Sequence, residues 1–206
     1  MVRRSRPGEI VLGKIHRQTP LPQSFYAESA IVVAQRLLGQ YLISRTEGVI
    51  TGGAIVETEA YCGVLDAGCH AFGFRRTTRT QAMYGQPGSI YVYLIYGLHY
   101  CFNVVALRPE APHAVLIRAI RPEFNRDVMI RRRQRSTESA NHSLTDGPGK
   151  LTQALAIDQR HNEGSLRSGP IQIFPGSHPS SFEALPRVGL GRAGVFRDVP
   201  WRFRLE

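Results

Sequence analysis

The chain has three cysteines among 206 residues, and Cys62, Cys69 and Cys101 fall at spacings that match no zinc-ligand pattern. An odd, sparse set of thiols leaves no disulfide framework to build on and fits a reducing, cytoplasmic setting. No apolar run opens the chain as a signal peptide would. No stretch approaches the roughly 20 apolar residues needed to cross a bilayer, so no membrane partner is expected. Internal repeats and low-complexity tracts are missing as well. Acidic residues are scarce: 16 Asp+Glu stand against 26 Lys+Arg, a net charge of +10. That balance favours a polyanionic partner such as nucleic acid, with a basic but merely solvated surface as the alternative. Nearly all of the excess is Arg, whose planar guanidinium suits bidentate phosphate contacts and stacking.

What is present reads as one domain, residues 21–206, behind a polar basic arm at residues 1–20. Ser24 is placed to cap a helix from about Tyr26 to Leu38, with Gly39 as its stop. YLISRT at 41–46 reads as a strand that turns at Glu47-Gly48 into a longer strand through residue 61. Residues 62–88 carry six Gly or Pro without periodicity, and loops longer than about 12–15 residues in compact domains are usually functional. SIYVYLIY and HYCFNVVAL flank Gly97-Leu98, which reads as a two-residue type II′ turn with Tyr96 at the tip of the hairpin. AVLIRAIR at 114–121 reads as a strand, Phe124 to Arg135 as an Arg-rich helix, and a further helix starts near Lys150. PIQIF, PRVGLG (186–191) and PWRFRL read as short strands.

In AIVETEAY, period-2 alternation puts Glu57, Glu59 and Tyr61 on one face and Val56, Thr58 and Ala60 on the other. Tyr91 and Tyr93 share a face in the second aromatic strand. Two carboxylates one repeat apart lie roughly 6.6 Å apart along a strand, a pairing known from glycosidic-bond hydrolysis and also common on surfaces. Arg118 shares a strand face with the apolar Leu116 and Ile120, where a charge needs a partner: one of the glutamates, or solvent at a sheet edge. A lone His70 in a loop says little. Tyr96 at an exposed tip could wedge between base pairs or pack across strands. Gly147-Pro148-Gly149 leads into a helix with Lys150 close by, a set of free amides and a cation suited to phosphate, although the G-x-x-x-x-G-K-[ST] loop is absent. Carboxylates, aromatic plates, an aromatic tip and a basic surface are the parts a base-flipping enzyme needs.

IVETEAY, His70, MYGQPGSIYVYLIYG, Asn103, AVLIRA, GPGKLTQAL and PRVGLGRAG together resemble the alkyladenine (3-methyladenine) DNA glycosylase family over residues 20–205. The resemblance implies an α+β fold: a single compact domain, mainly antiparallel curved sheet with flanking helices and a protruding β-hairpin. It implies that Glu59 activates the hydrolytic water, that Arg118 and the backbone carbonyl of Val188 help to hold that water, and that Glu57 supports them. Tyr61, His70 and Tyr93 would wall the base pocket, and Asn103 would crowd the exocyclic amino group of guanine. Tyr96 would fill the vacated stack, while Arg79, Gly147, Gly149 and Lys150 would lie along the DNA backbone.

The reaction this implies removes an alkylated or deaminated purine from double-stranded DNA and leaves an abasic site. No lysine is seen beside the site to form a Schiff base, so a monofunctional hydrolase is expected, monomeric, with no cofactor and no metal. The chain departs from the family pattern at Thr78-Arg79-Thr80, where Pro and Asn usually flank the Arg, and at Arg192. A non-catalytic nucleic-acid-binding module and a hydrolase of free nucleosides are the competing classes; the second does not explain the basic surface.

Overall fold

A computed structural model of the chain describes residues 13, 18–134, 143–191 and 193–205. Most of the basic arm, Arg135 and Arg192 lie outside the described residues. The chain enters through α1 (Gln23–Tyr26) and α2 (Ala30–Leu37), where the sequence suggests one helix capped by Ser24. The non-helical Ser29 (ψ 151°) separates the two, and its Oγ caps α2 by accepting from the Val32 amide at 3.4 Å. Gly39, at φ 79°, ends the segment as expected.

β1 (Tyr41–Thr46) and β2 (Val49–Cys62) form the expected hairpin. They turn through Glu47 and Gly48, both at positive φ. The 14-residue β2 is the spine of the sheet. Its first half pairs with β1 and its second half with β8 (Arg202–Arg204), while β5 (His113–Phe124) runs along the other edge. β3 (Ile90–Ile95) and β4 (His99–Ala106) continue beyond β5, β6 (Ile171–Phe174) lies outside β1, and β7 (Glu183–Leu185) pairs with β8. The product is an open, eight-stranded antiparallel sheet in the order β3-β4-β5-β2-β1-β6, with β7 and β8 attached, and with its helices it gives an α+β domain.

Two further readings need correction. The Arg-rich helix is shorter, α3 (Arg126–Arg132), because Phe124 still belongs to β5 and Asn125 turns the chain at φ 51°. PRVGLG is an irregular turn, and the strand of this region is the preceding β7. The last helix, α4, runs Pro148–Leu155.

Neighbouring residues alternate between two cores, which is how the sheet separates its faces. Ile90, Val92, Val104, Ala106, Val115 and Ile117 join Val33, Ala34 and Leu37 of α2 and Leu151 and Leu155 of α4 in the main core. Tyr91, Val105 and Ala114 face the other way and pack with Cys69, Ala71, Met83 and Tyr84 of the long loop. Fully burying one such Leu, Ile or Phe contributes about 1.5–3 kcal/mol, so the helical face supplies the larger share of stability. The loop at residues 63–88 holds three short 3-10 turns and roofs the opposite face.

A pair of register shifts in β2 and β5 decides which face Glu57 and Glu59 share. Val56 is skipped on β2 and Arg118 on β5, since Ile55 pairs with Ile120, Glu57 with Ala119 and Thr58 with Ile117. Bulges of this kind re-aim side chains. Ile55 and Ala60 both lie in the helical core, and the Thr58 hydroxyl donates to the Ala34 carbonyl of α2 at 2.9 Å. Glu57, Glu59 and Arg118 are left on the loop-covered face.

Candidate active site

A cavity of about 390 Å³ opens on that second face. Glu59, Tyr61, His70, Tyr93, Tyr96, Asn103, Arg118 and Val188 all line it. Residues spread over 130 positions are gathered because β2, β3, β4 and β5 are neighbours in the sheet, while the loop brings His70 and the 186–191 turn brings Val188.

Glu59 is fully buried. Its Oε1 accepts the Val188 amide at 2.8 Å and lies 3.2 Å from Arg118 Nη1. Its Oε2 accepts the Tyr61 hydroxyl at 2.7 Å. A carboxylate offers about four lone-pair sites. Two hydrogen-bond donors fill two of them and the Arg118 cation stands against the same oxygen as the Val188 amide, a pattern that an acceptor-only carboxylate satisfies and that leaves room for a water. Burial, with Glu59 alongside, pushes the Tyr61 phenol well above its usual range, so it stays a donor. Val188 meets Glu59 through its amide, where the expectation concerned its carbonyl.

Glu57 takes no part in lining the cavity. Its Oε1 lies between Arg118 Nε at 3.1 Å and Arg202 Nη1 at 2.9 Å. Arg118 therefore bridges both glutamates, which answers the question of its partner, and the two acids are not disposed as an acid and a base facing one bond. Arg202 was not anticipated, because its apolar neighbours Trp201 and Phe203 are adjacent in sequence, point to the opposite strand face and give no same-face signal like that of Arg118.

The aromatic wall is cross-braced. Tyr93 meets His70 edge-on at 4.6 Å and Tyr91 at 5.2 Å between centroids. His70 Nδ1 lies 2.9 Å from the Tyr91 hydroxyl. Burial, then the charges of Arg79 and Arg75, hold the His70 pKa down to about 4. Asn103 is buried, and its amide donates to the Tyr91 and Cys101 carbonyls at 3.1 and 3.4 Å.

Tyr96 is 86% exposed at the hairpin tip. The turn differs from the expected type II′ Gly97-Leu98 pair. The Leu98 amide donates to the Ile95 carbonyl at 3.1 Å, and the central residues Tyr96 and Gly97 both have positive φ, 53° and 69°, as a type I′ turn requires. A Tyr in that region is strained, and the exposed side chain makes cross-strand packing a poor account of it.

Around the mouth, the Arg79 guanidinium lies 4.9 Å over the Tyr93 ring and donates to the Leu94 carbonyl at 3.4 Å. Gly147 precedes α4, whose first residue, Pro148, lines the cavity. Gly149 packs so closely on His99 that an added Cβ would come within 2.9 Å of it. Lys150 Nζ is held by Ser143 at 2.6 Å and Asp146 at 3.0 Å.

Beneath the site lies a buried ion pair that no sequence pattern announced. Arg187 meets Asp66 in bidentate fashion, at 2.6 and 2.8 Å, with side chains 0% and 1% exposed. Arg187 also donates to the Ala60 carbonyl and stands over the Tyr61 and Trp201 rings at 4.8 and 5.1 Å. Asp66 further accepts the Cys62 and Gly68 amides at 3.0 and 2.9 Å. The pair ties the start of the loop to the turn whose next residue, Val188, holds Glu59.

Among the described residues no helix is long and apolar enough to cross a membrane, and all three thiols are free. The methylpurine-DNA glycosylase family matches residues 24–206. A protein of Chlamydia felis is 45% identical over 187 residues, 90% of this chain and 96% of its own. One of Chlamydia pneumoniae is 46% identical over 182 residues, 88% and 92% of the two chains. One of Bacillus subtilis is 39% identical over 186 residues, 90% and 93%. Each is provisionally named a 3-methyladenine DNA glycosylase.

Proposed function

The chain belongs to the methylpurine-DNA glycosylase family, a DNA repair glycosylase by that membership, and we propose that it flips an alkylated or deaminated purine out of duplex DNA and hydrolyses its N-glycosidic bond with Glu59 as general base. The observation that carries this reading is one fully buried carboxylate, held by two hydrogen bonds and an arginine ion pair, at the wall of an aromatic-lined cavity. Its volume, about 390 Å³, falls within the about 300–1,000 Å³ of small-molecule sites.

Glu59 takes a proton from a water as the water oxygen attacks C1′ of the flipped nucleotide, and the bonding pair of the C1′–N bond leaves with the base. Arg118 and the Val188 carbonyl hold that water. Tyr61, His70 and Tyr93 stack on the base, an interaction of about 1–3 kcal/mol per base that offsets the few kcal/mol of extrusion. Asn103 crowds the amino group of normal guanine. Tyr96 occupies the gap in the stack, and its strained, exposed position suits a side chain whose partner is DNA. Arg79 and the α4 start at Gly147, Gly149 and Lys150 follow the backbone. A cationic alkylpurine such as 3-methyladenine leaves neutral, whereas hypoxanthine leaves with developing negative charge.

The enzyme is monofunctional and acts as a monomer in a reducing interior. The one lysine among the described residues, Lys150, is committed to Asp146 and Ser143 and does not line the cavity, so among the described residues no lysine amine is at hand for a Schiff base. Single-turnover assays on duplexes with one hypoxanthine or one ethenoadenine test the reading. Wild type should release the base and leave a strand that breaks only after alkali. Glu59→Gln should bind the same duplex and release base at least about 100-fold more slowly, as loss of a general base implies. Undiminished release by that variant, or strand breaks without alkali, would count against the mechanism.

A further inference from the structure

Arg202 does not line the cavity, yet its guanidinium reaches toward both partners that Glu59 Oε1 meets. Its Nη1 donates to Glu57 Oε1 at 2.9 Å, the oxygen that also accepts Arg118 Nε at 3.1 Å. Its Nε donates to the Pro186 carbonyl at 2.8 Å, two residues before the Val188 amide that donates to Glu59. The register accounts for this reach: Arg202 lies directly opposite Glu59 where β8 meets β2, so its side chain shares the face of both glutamates. Charges alternate along the contacts from Arg202 through Glu57 and Arg118 to Glu59, and these side chains are at most 18% exposed. Salt therefore screens them little. A carboxylate left with one arginine takes it in a two-pronged grip. With Arg118 as its sole cation, Glu57 would draw it in this way, and Nη1, which stands 3.2 Å from Glu59 Oε1, would turn aside. Arg202 shares that pull.

We infer that Arg202 is a positioning residue for base release: it shares the charge of Glu57, which leaves Arg118 Nη1 at Glu59, and it holds the Pro186 carbonyl, which steadies the turn that carries Val188. The inference deepens the reading above and rests on it. Arg202 touches neither the purine nor the attacking water. It acts on the groups around the general base, so neutral and cationic purines should feel its loss alike, and duplex binding should survive it.

Single-turnover assays with enzyme in excess test this, because the rate constant belongs to the folded molecules and incomplete folding costs amplitude only. Arg202→Met should slow hypoxanthine and 7-methylguanine release by a common factor of about 10–100, as misplacement by about 1 Å does, with duplex Kd within about threefold of wild type. Arg202→Lys keeps the cation without the fork that spans Glu57 and Pro186. It should be slowed about threefold, and it carries the test if the methionine variant does not fold. Adding Glu57→Gln to Arg202→Met should speed release at least about threefold over Arg202→Met alone, since an amide accepts from Arg118 without competing for its charge. A merely structural role predicts further loss instead. Arg204→Met removes the same charge two residues on, from a side chain paired with Glu183 at 2.7 Å, and should keep the wild-type rate. Wild-type rates in the Arg202 variants, a double variant no faster than Arg202→Met, or equal slowing by Arg204→Met would each overturn the inference alone. A wild-type protein that releases neither base overturns the glycosylase reading, and the inference with it.

Discussion

Replacing Asp66 by Asn removes one charge from the pair beneath the site and keeps the side-chain shape. Arg187 then remains as a cation with a 0% exposed side chain. It keeps its bonds to the Ala60 and Phe196 carbonyls at 2.9 and 3.3 Å and its two aromatic neighbours, but loses the carboxylate that more than offsets burial and raises its pKa. Breaking a buried pair by removing one partner costs about 3–5 kcal/mol. That is a large part of the about 5–15 kcal/mol by which a domain is stable. Urea unfolding should show a loss of this size for Asp66→Asn, and the Asp66→Asn/Arg187→Met double variant should lose less than the sum of the singles by at least about 1 kcal/mol. Folded Asp66→Asn protein should also release base more slowly, because the turn that presents the Val188 amide to Glu59 is no longer tied down. Stability within about 1 kcal/mol of wild type would refute the reasoning, by implying that the cation finds equal solvation without Asp66.

Two other predictions follow from individual residues. His70 has a pKa lowered from 6.5 to about 4, so as pH falls the unfolded chain takes up a proton before the folded one does, and stability is lost between pH 6.5 and 4 and levels off below. The loss should reach about 3 kcal/mol, and His70→Phe should show a correspondingly shallower acid dependence of the urea midpoint; identical dependence in the two proteins would remove His70 as the cause. At the hairpin tip, Tyr96→Asn places in the left-handed region a residue that tolerates it. It should stabilise the fold by about 1 kcal/mol in thermal unfolding while sharply slowing base release, and a variant that is both less stable and fully active would contradict both halves of the argument.

Local chemistry was legible in the sequence wherever a periodicity or a turn residue encodes it. The alternation Glu57, Glu59, Tyr61 put these three side chains on one face, as β geometry requires of a stretch that carries no bulge within it. The apolar flanks of Arg118 announced an ion partner, Glu47-Gly48 set the first hairpin, and ordered motifs along most of the chain pointed to the family. Chain breaks without a periodic signal were read less well: Ser29 splits one helix into two, and the 186–191 segment turns where a strand was expected.

Only the tertiary structure could decide which long-range partners meet. Whether Arg118 reaches one glutamate or two depends on the bulges at Val56 and Arg118, which cancel in the register of β2 against β5 but switch the face along each strand, so that an unbroken period-2 reading misses them. Arg202 reaches Glu57 because β8 joins the second half of β2. Asp66 and Arg187 lie 121 positions apart in irregular segments, where no repeat marks a residue as inward-facing. The amino-acid sequence by itself determined the chemical groups and the strand faces that carry them. The closing of sheet, loop and turn around one cavity determined their partners, because a buried charge is defined by what desolvates it, and that is a property of the folded chain.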